Sequence, residues 1–299
     1  MIGEVPIVTF DTSAHNRLAD DLRFSDLIVD QMRAQSLWFR FTGLAIGELV
    51  ATTDPARRDK LLDSCRKIQG AGPSECLLLS HSMIQEMVAS FSSDPKAFDW
   101  KTVNVRWPDC ERAINRTGCF FDDKVSKDER DFHRERKVIG ERERERQRVE
   151  LRPKIQGIFA AHGELPPDTF EEAIKRLENA GGAAIVTAAH KFYSRVKKDS
   201  DEATAKQFMD VCPPFKALVY ASIFIPWYDS AVRDPSSEGM TAGSNDLFMA
   251  TYLPYCDKFV TAEVNRQQEK CLRAVVSAIG LGTEVLSYDD FRKGYPVAA

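Results

Sequence analysis

Short apolar runs alternate with amphipathic segments along much of the chain, and this pattern predicts strands separated by helices. Residues 5–10 form a β-branched apolar run with a proline near its start, which is typical of a buried strand. Comparable runs predict further strands in the first part of 34–46 and at 75–80, 258–262 and 283–288. Helical spacing predicts helices at 14–22, 55–65, 247–253 and 265–279. Strands separated by helices predict an α/β fold with a mainly parallel central sheet.

The region from about 81 to 234 carries helical patterns alone. Its predicted helices include 168–181, 183–198, 201–211 and, beyond a break at two prolines, 215–232. The segment 126–150 is rich in Glu and Arg at spacings of three and four, which favours a solvated helix. Nucleic-acid binding is the sharper alternative there, although acids alternate with the arginines. We interpret 81–234 as a mainly helical insertion within a single domain spanning 1–299.

Composition narrows the class of protein. The 299 residues carry a formal net charge of −4, so any nucleic-acid contact must come from a local basic patch. The seven cysteines include no CxxC pair and are typical of reduced thiols in a cytosolic protein. The start of the chain lacks signal-peptide features, and the most apolar run, 218–228, falls short of the roughly 20 residues that span a bilayer. We therefore expect a cytoplasmic protein without membrane contact.

Acidic residues stand at the ends of four predicted elements. Asp11 follows the first strand, Glu48 stands at the start of a helical region, Asp246 lies in the first turn of a late helix, and Glu263 follows a late strand. Because the carboxyl ends of parallel strands share one edge of a sheet, we expect these carboxylates to converge. Their mutual repulsion calls for a divalent cation, and oxygen ligands without His or Cys favour Mg²⁺ or Mn²⁺. For each acid alone, helix capping or surface charge is the alternative.

Four stretches carry a resemblance to the PIN-domain nucleases, a family that includes the VapC-type toxins. They are IVTFDTS at 7–13, GEL at 47–49, NDLFMA at 245–250 and CDKFVTAE at 256–263. They lie in the first 80 and last 65 residues, roughly, and their order is more specific than any one of them. The resemblance implies a three-layer α/β/α PIN-like domain with a large helical insertion.

The resemblance also assigns the site. Asp11, Glu48 and Asp246 match the three central acids of the family, and Glu263 stands where many members carry Asp. Asp257 competes with Glu263, but it precedes its strand and should lie at the opposite edge of the sheet. Thr12 or Ser13 and Thr261 match polar positions that support the site. Outside these motifs, His15 follows Asp11 closely enough to approach the same cleft.

The function implied by the resemblance is metal-dependent endoribonuclease activity on single-stranded or structured RNA. Mg²⁺ or Mn²⁺ would bridge the carboxylates and the scissile phosphate and activate a water molecule. The resemblance extends to a toxin role, with an antitoxin protein as partner and a homodimer as assembly. Two alternatives stay open: a PIN-like RNA- or protein-binding scaffold with little catalysis, and a structure-specific DNA nuclease whose insertion arches over the site.

Overall fold

A parallel β-sheet organises the protein. The computed structural model describes residues 5–107, 169–179, 182–231, 248–262 and 267–295, with single positions between 131 and 167. Within these residues the strands are β1 (Ile7–Phe10), β2 (Trp38–Thr42), β3 (Ser74–Leu77), β4 (Lys258–Thr261) and β5 (Glu284–Ser287). Their order across the sheet is β3-β2-β1-β4-β5, and every neighbouring pair is parallel. The α/β class and the parallel central sheet predicted from the sequence are confirmed.

Helices occupy the connections between the strands. In the described ranges they are α1 (Thr12–Asp20), α2 (Leu22–Arg33), α3 (Gly43–Val50), α4 (Pro55–Gln69), α5 (Ser80–Ser93), α6 (Phe170–Asn179), α7 (Ala183–Val196), α8 (Glu202–Val211), α9 (Pro213–Ala231), α10 (Gln267–Ile279) and α11 (Tyr288–Lys293), with a 3₁₀-helix at Met249–Tyr255. The region 81–234 is therefore helical wherever its elements are described. One departure is a bridge in which Arg106 pairs antiparallel with Leu77, at the end of β3.

Two hydrophobic cores lie on opposite faces of the sheet and give the fold three layers. Adjacent residues of one strand separate into the two cores because successive side chains point to opposite faces. Val260 packs with α1, α2, α4 and α11, whereas Phe259 packs with α5 to α10 and the 3₁₀-helix. The helices of 81–234 thus share a core with the sheet and cover one of its faces.

The strand order explains this division. The chain moves from β1 through β2 to β3 in one direction, then returns to place β4 on the other side of β1. Right-handed crossovers running in opposite directions put their helices on opposite faces. The direction changes between β1 and β4, and the crevice outside the carboxyl ends of such strands is where open α/β sheets bind ligands.

The pattern over 14–22 predicted one helix, and helix α2 was not predicted. The structure ends α1 at Asp20 and begins α2 at Leu22, with the Asp21 side chain accepting a hydrogen bond from Phe24 N at 3.3 Å. The missed signal is a stripe at helical spacing, all of it buried: Phe24, Ser25, Ile28, Val29 and Met32.

Other boundaries also differ from the prediction. Helix α9 begins at Pro213, since the first helical positions need no N–H partner and accept proline. The predicted helix at 247–253 is a 3₁₀-helix over 249–255. The predicted strand 75–80 stops at Leu77, and α5 begins at Ser80. Helix α11 was not predicted.

Candidate functional site

Asp11 lies where β1 ends, at the point where the strand order changes direction. Its backbone N–H donates to the carbonyl oxygen of Val260 on β4 at 3.0 Å, which fixes it between the two central strands. Its side chain is the N-cap of α1, because Oδ1 accepts a hydrogen bond from Ala14 N at 2.7 Å. The Ser13 hydroxyl lies 2.8 Å from Oδ1 and 3.0 Å from Oδ2. The carboxylate, in a residue only 3% exposed, is thus held by two local donors.

A row of polar side chains continues from Asp11 towards β4. Ser13 Oγ accepts a hydrogen bond from Ala262 N at 2.8 Å and lies 3.4 Å from Thr261 Oγ1. Thr261 Oγ1 in turn lies 3.2 Å from Gln268 Oε1, and both of these residues are 2% exposed. Ser13 and Thr261 were expected to support the site, and the structure places both beside Asp11. Gln268 was missed, although it and Glu269 are polar residues among the apolar buried residues of α10.

Glu48 reaches the same edge of the sheet by another path. Helix α3 begins directly after β2, with Thr42 as its N-cap, and carries Glu48 in its last turn. The prediction that Glu48 stands at the start of a helical region is wrong, because α3 already begins at Gly43. The Thr12 hydroxyl donates a hydrogen bond to Glu48 Oε2. The Glu48 carboxylate is therefore one hydrogen bond away from the residue that follows Asp11.

The remaining acids divide into one that the structure places and two that it does not describe. Asp257 Oδ2 accepts a hydrogen bond from Ile7 N at 2.7 Å, at the start of β1. This confirms that Asp257 lies at the amino-terminal edge of the sheet, opposite Asp11. Asp246 and Glu263 lie outside the described residues, and Glu263 follows Thr261 by two positions in the sequence.

His15 is a residue of α1, and its side chain lies in the aromatic core. Its ring stacks on Phe41 with an interplanar angle of 11° and meets Phe10 edge-on. Its Nδ1 lies 3.9 Å from the Sγ of Cys65. The residue is 2% exposed, and burial lowers the pKa of His15 to about 3, so the imidazole is neutral at physiological pH. His15 therefore serves packing here and adds no charge to the site.

The ligand chemistry of the site suits a hard cation. Asp11 and Glu48 offer carboxylate oxygens, and the hydroxyls of Thr12 and Ser13 stand beside them. Oxygen donors of this kind are those that Mg²⁺ and Mn²⁺ prefer. In the part of the chain that the structure describes, no group of three or more His, Cys, Asp and Glu side chains forms a metal site.

Comparison of the chain with models of known protein families, with curated proteins and with solved structures finds no match. A search for membrane-spanning segments, limited to the described residues, finds no helix long and apolar enough to cross a bilayer.

The fold and the site together define an α/β protein with a carboxylate-bearing polar site at the switch point of its parallel sheet.

Proposed function

We propose that the protein is a metal-dependent endoribonuclease with a PIN-like fold, which hydrolyses phosphodiester bonds of single-stranded or structured RNA. The observation that carries the proposal is the placement of Asp11. It is a nearly buried carboxylate at the carboxyl end of the central strand, beside the strand-order switch and linked through Thr12 to a second acid. The motif order 7–13, 47–49, 245–250 and 256–263 adds support from the sequence.

All four acids serve as metal ligands in this proposal. Asp11 and Glu48 would hold Mg²⁺ or Mn²⁺, and Asp246 and Glu263 are proposed to complete the ligand set. The bound cation would lower the pKa of a water molecule and offset charge on the phosphate. Ser13 and the Ala14 N–H orient the Asp11 carboxylate, so its position is set before the ion arrives. Thr12 holds Glu48 in the same way.

The biological setting of the proposal comes from the resemblance alone. A toxin of a toxin–antitoxin pair would have an antitoxin protein as its partner and could act as a homodimer in the cytoplasm. With a net charge of −4, RNA contact would depend on a local basic surface rather than on the global field.

A cleavage assay tests the proposal directly. Purified protein is incubated with single-stranded RNA, transfer RNA and flapped DNA, each with Mg²⁺, Mn²⁺ or EDTA. We expect RNA cleavage that requires the metal and that Asp11→Asn and Glu48→Gln each reduce by at least about a hundredfold, since each removes one ligand charge. Both variants keep an oxygen acceptor for the hydrogen bonds described above.

Asp54→Asn is the matched control for this assay. Asp54 also caps a helix, because its Oδ1 accepts from Ala56 N at 3.0 Å, but it precedes α4 and is exposed. Its variant should cleave RNA as wild type does. Metal-dependent cleavage of flapped DNA alone would replace the proposal by a structure-specific DNA nuclease.

A second candidate is an RNA- or protein-binding scaffold with little catalysis. One observation favours it: the bonds of Asp11 to Ala14 N and Ser13 Oγ are those of an ordinary N-cap and need no metal. Binding of RNA without cleavage under all metal conditions would support this candidate.

A further inference from the structure

Asp11 is connected to the buried side of α10 by a row of three polar side chains. The row runs from the carboxylate of Asp11 to Ser13 Oγ at 2.8 Å, to Thr261 Oγ1 at 3.4 Å, and to the side-chain amide of Gln268 at 3.2 Å. Thr261 and Gln268 are both 2% exposed. The row crosses from α1 to β4 and then to α10, so it joins three elements that meet at the switch point.

Counting the hydroxyl protons leaves one possible direction for a hydrogen bond between Ser13 and Thr261. Ser13 has one hydroxyl proton, and Asp11 as a carboxylate only accepts, so that proton belongs to the bond with Asp11. Ser13 Oγ also accepts from Ala262 N. A hydrogen bond between Ser13 and Thr261 therefore needs Thr261 as its donor. Thr261 has one hydroxyl proton too, so it must then accept from Gln268.

A half-turn of the Gln268 carboxamide satisfies the whole row. It exchanges Oε1 and Nε2 without moving any other heavy atom, since the two ends of an amide have nearly the same shape. Nε2 then donates to Thr261 Oγ1, Thr261 donates to Ser13 Oγ, and Ser13 donates to Asp11. In the orientation of the structure, Oε1 of Gln268 faces Thr261, so the Thr261 hydroxyl donates to Gln268. No proton then lies between the hydroxyl oxygens of Ser13 and Thr261.

We propose that Gln268 is a positioning residue for Asp11, acting through Thr261 and Ser13 with its amide nitrogen turned towards Thr261. The proposal rests on the proposed function in one respect, that Asp11 is a metal ligand. Hydrogen bonds to a metal-ligating side chain set its orientation, and their loss typically lowers metal affinity 10- to 100-fold. Because two residues separate Gln268 from Asp11, we expect a loss of about tenfold.

A double-mutant cycle on Mn²⁺ affinity tests whether Gln268 acts through Thr261. The dissociation constant is measured by calorimetry for wild type, Thr261→Val, Gln268→Met and the double variant. We expect each single variant to bind about tenfold more weakly. The double variant should bind no more weakly than either single one, because both break the same row. Thr261→Ser keeps the hydroxyl and should restore wild-type affinity.

Lys270→Met is the control on the same helix, because Lys270 is exposed and close to Gln268 in sequence. It should bind Mn²⁺ as wild type does. Losses of Thr261→Val and Gln268→Met that multiply in the double variant would overturn the proposal, and so would an unchanged affinity in Gln268→Met. If wild type binds no Mn²⁺ at all, the proposed function fails instead.

Nuclear magnetic resonance of wild type tests the row without any metal or variant. With the amide nitrogen facing Thr261, a strong nuclear Overhauser effect should connect the Gln268 side-chain amide protons to the Thr261 methyl group. In the opposite orientation those protons point away, and the cross-peak should be weak or absent. Its absence would overturn the orientation even if a metal binds.

Discussion

His15 illustrates how one buried residue couples the fold to pH. Its ring packs among Phe10, Phe39 and Phe41, and burial lowers the pKa of His15 from 6.5 to about 3. Between pH 6.5 and about pH 3, His15 therefore binds a proton in the unfolded chain but not in the folded protein. As the pH falls from 6.5 towards 3, the free energy of unfolding decreases by about 1.4 kcal/mol per pH unit from this residue.

Replacing His15 by leucine should remove this pH dependence. At pH 5 the contribution amounts to about 2 kcal/mol, since 1.5 pH units separate it from the ordinary pKa of histidine. Urea unfolding of wild type and His15→Leu at pH 8 and pH 5 measures it. The change in packing appears equally at both values, so the loss on acidification should be about 2 kcal/mol smaller in the variant. An equal loss in both proteins would contradict this account.

At the scale of elements, α3 depends on a close approach between two stretches of backbone. Gly43 begins α3, where a Cβ atom would lie 2.8 Å from Leu79 N and 2.9 Å from Leu77 O. These neighbours are main-chain atoms of the end of β3 and of the segment that follows it, and they cannot swing away as a side chain can. The glycine thus allows α3, and with it Glu48, to sit against the carboxyl edge of the sheet.

Gly43→Ala should therefore destabilise the protein by about 1–3 kcal/mol, the usual cost of overpacking a tight site. It should also lower cleavage, because α3 carries Glu48. The matched control is Gly282→Ala, since a Cβ atom at Gly282 would meet nothing within 4 Å. Thermal unfolding of the two variants beside wild type provides the comparison. A Gly43→Ala protein as stable as Gly282→Ala would exclude this role for the close approach.

At the scale of the whole molecule, the sheet separates acids that are close to β1 in space but belong to opposite edges. Asp11 follows β1, whereas Asp257 accepts from Ile7 N at its beginning. An ion bound by Asp11 and Glu48 would stabilise the folded state alone, because the unfolded chain does not bring these acids together.

Mn²⁺ should therefore raise the melting temperature of wild type. At a hundredfold excess over the dissociation constant, the added stability is about 2.7 kcal/mol. Asp11→Asn should lose most of this rise while keeping its helix cap, because asparagine caps as well as aspartate. Asp257→Asn, at the opposite edge, should keep the rise. Thermal melts of the three proteins with EDTA and with Mn²⁺ test where the ion binds. A rise lost only in Asp257→Asn would place the ion at the amino-terminal edge of the sheet and contradict the proposed site.

The sequence by itself determined the type of most elements and the edge to which Asp11 and Asp257 belong. The element types follow from apolar periodicity, which distinguishes helix from strand. The edges follow from the position of each acid along its strand: a residue after a parallel strand lies at the carboxyl edge, and a residue before it lies at the amino edge. The position of Glu48 was predicted less well, because β2 passes directly into α3 at Gly43, and a continuous apolar run does not mark where a strand ends and a helix begins.

Only the tertiary structure decided the strand order, the burial of His15 and the approach of Gln268 to Thr261. Strand order reflects which long-range pairs bury the most apolar surface, and no local pattern encodes it. His15 meets Phe39, Phe41 and Cys65, which are distant in sequence, and Gln268 meets Thr261, which contacts Ser13 from the other end of the chain. These contacts form only when α1 packs against β2 and α4 and when α1, β4 and α10 meet at the carboxyl edge of the sheet.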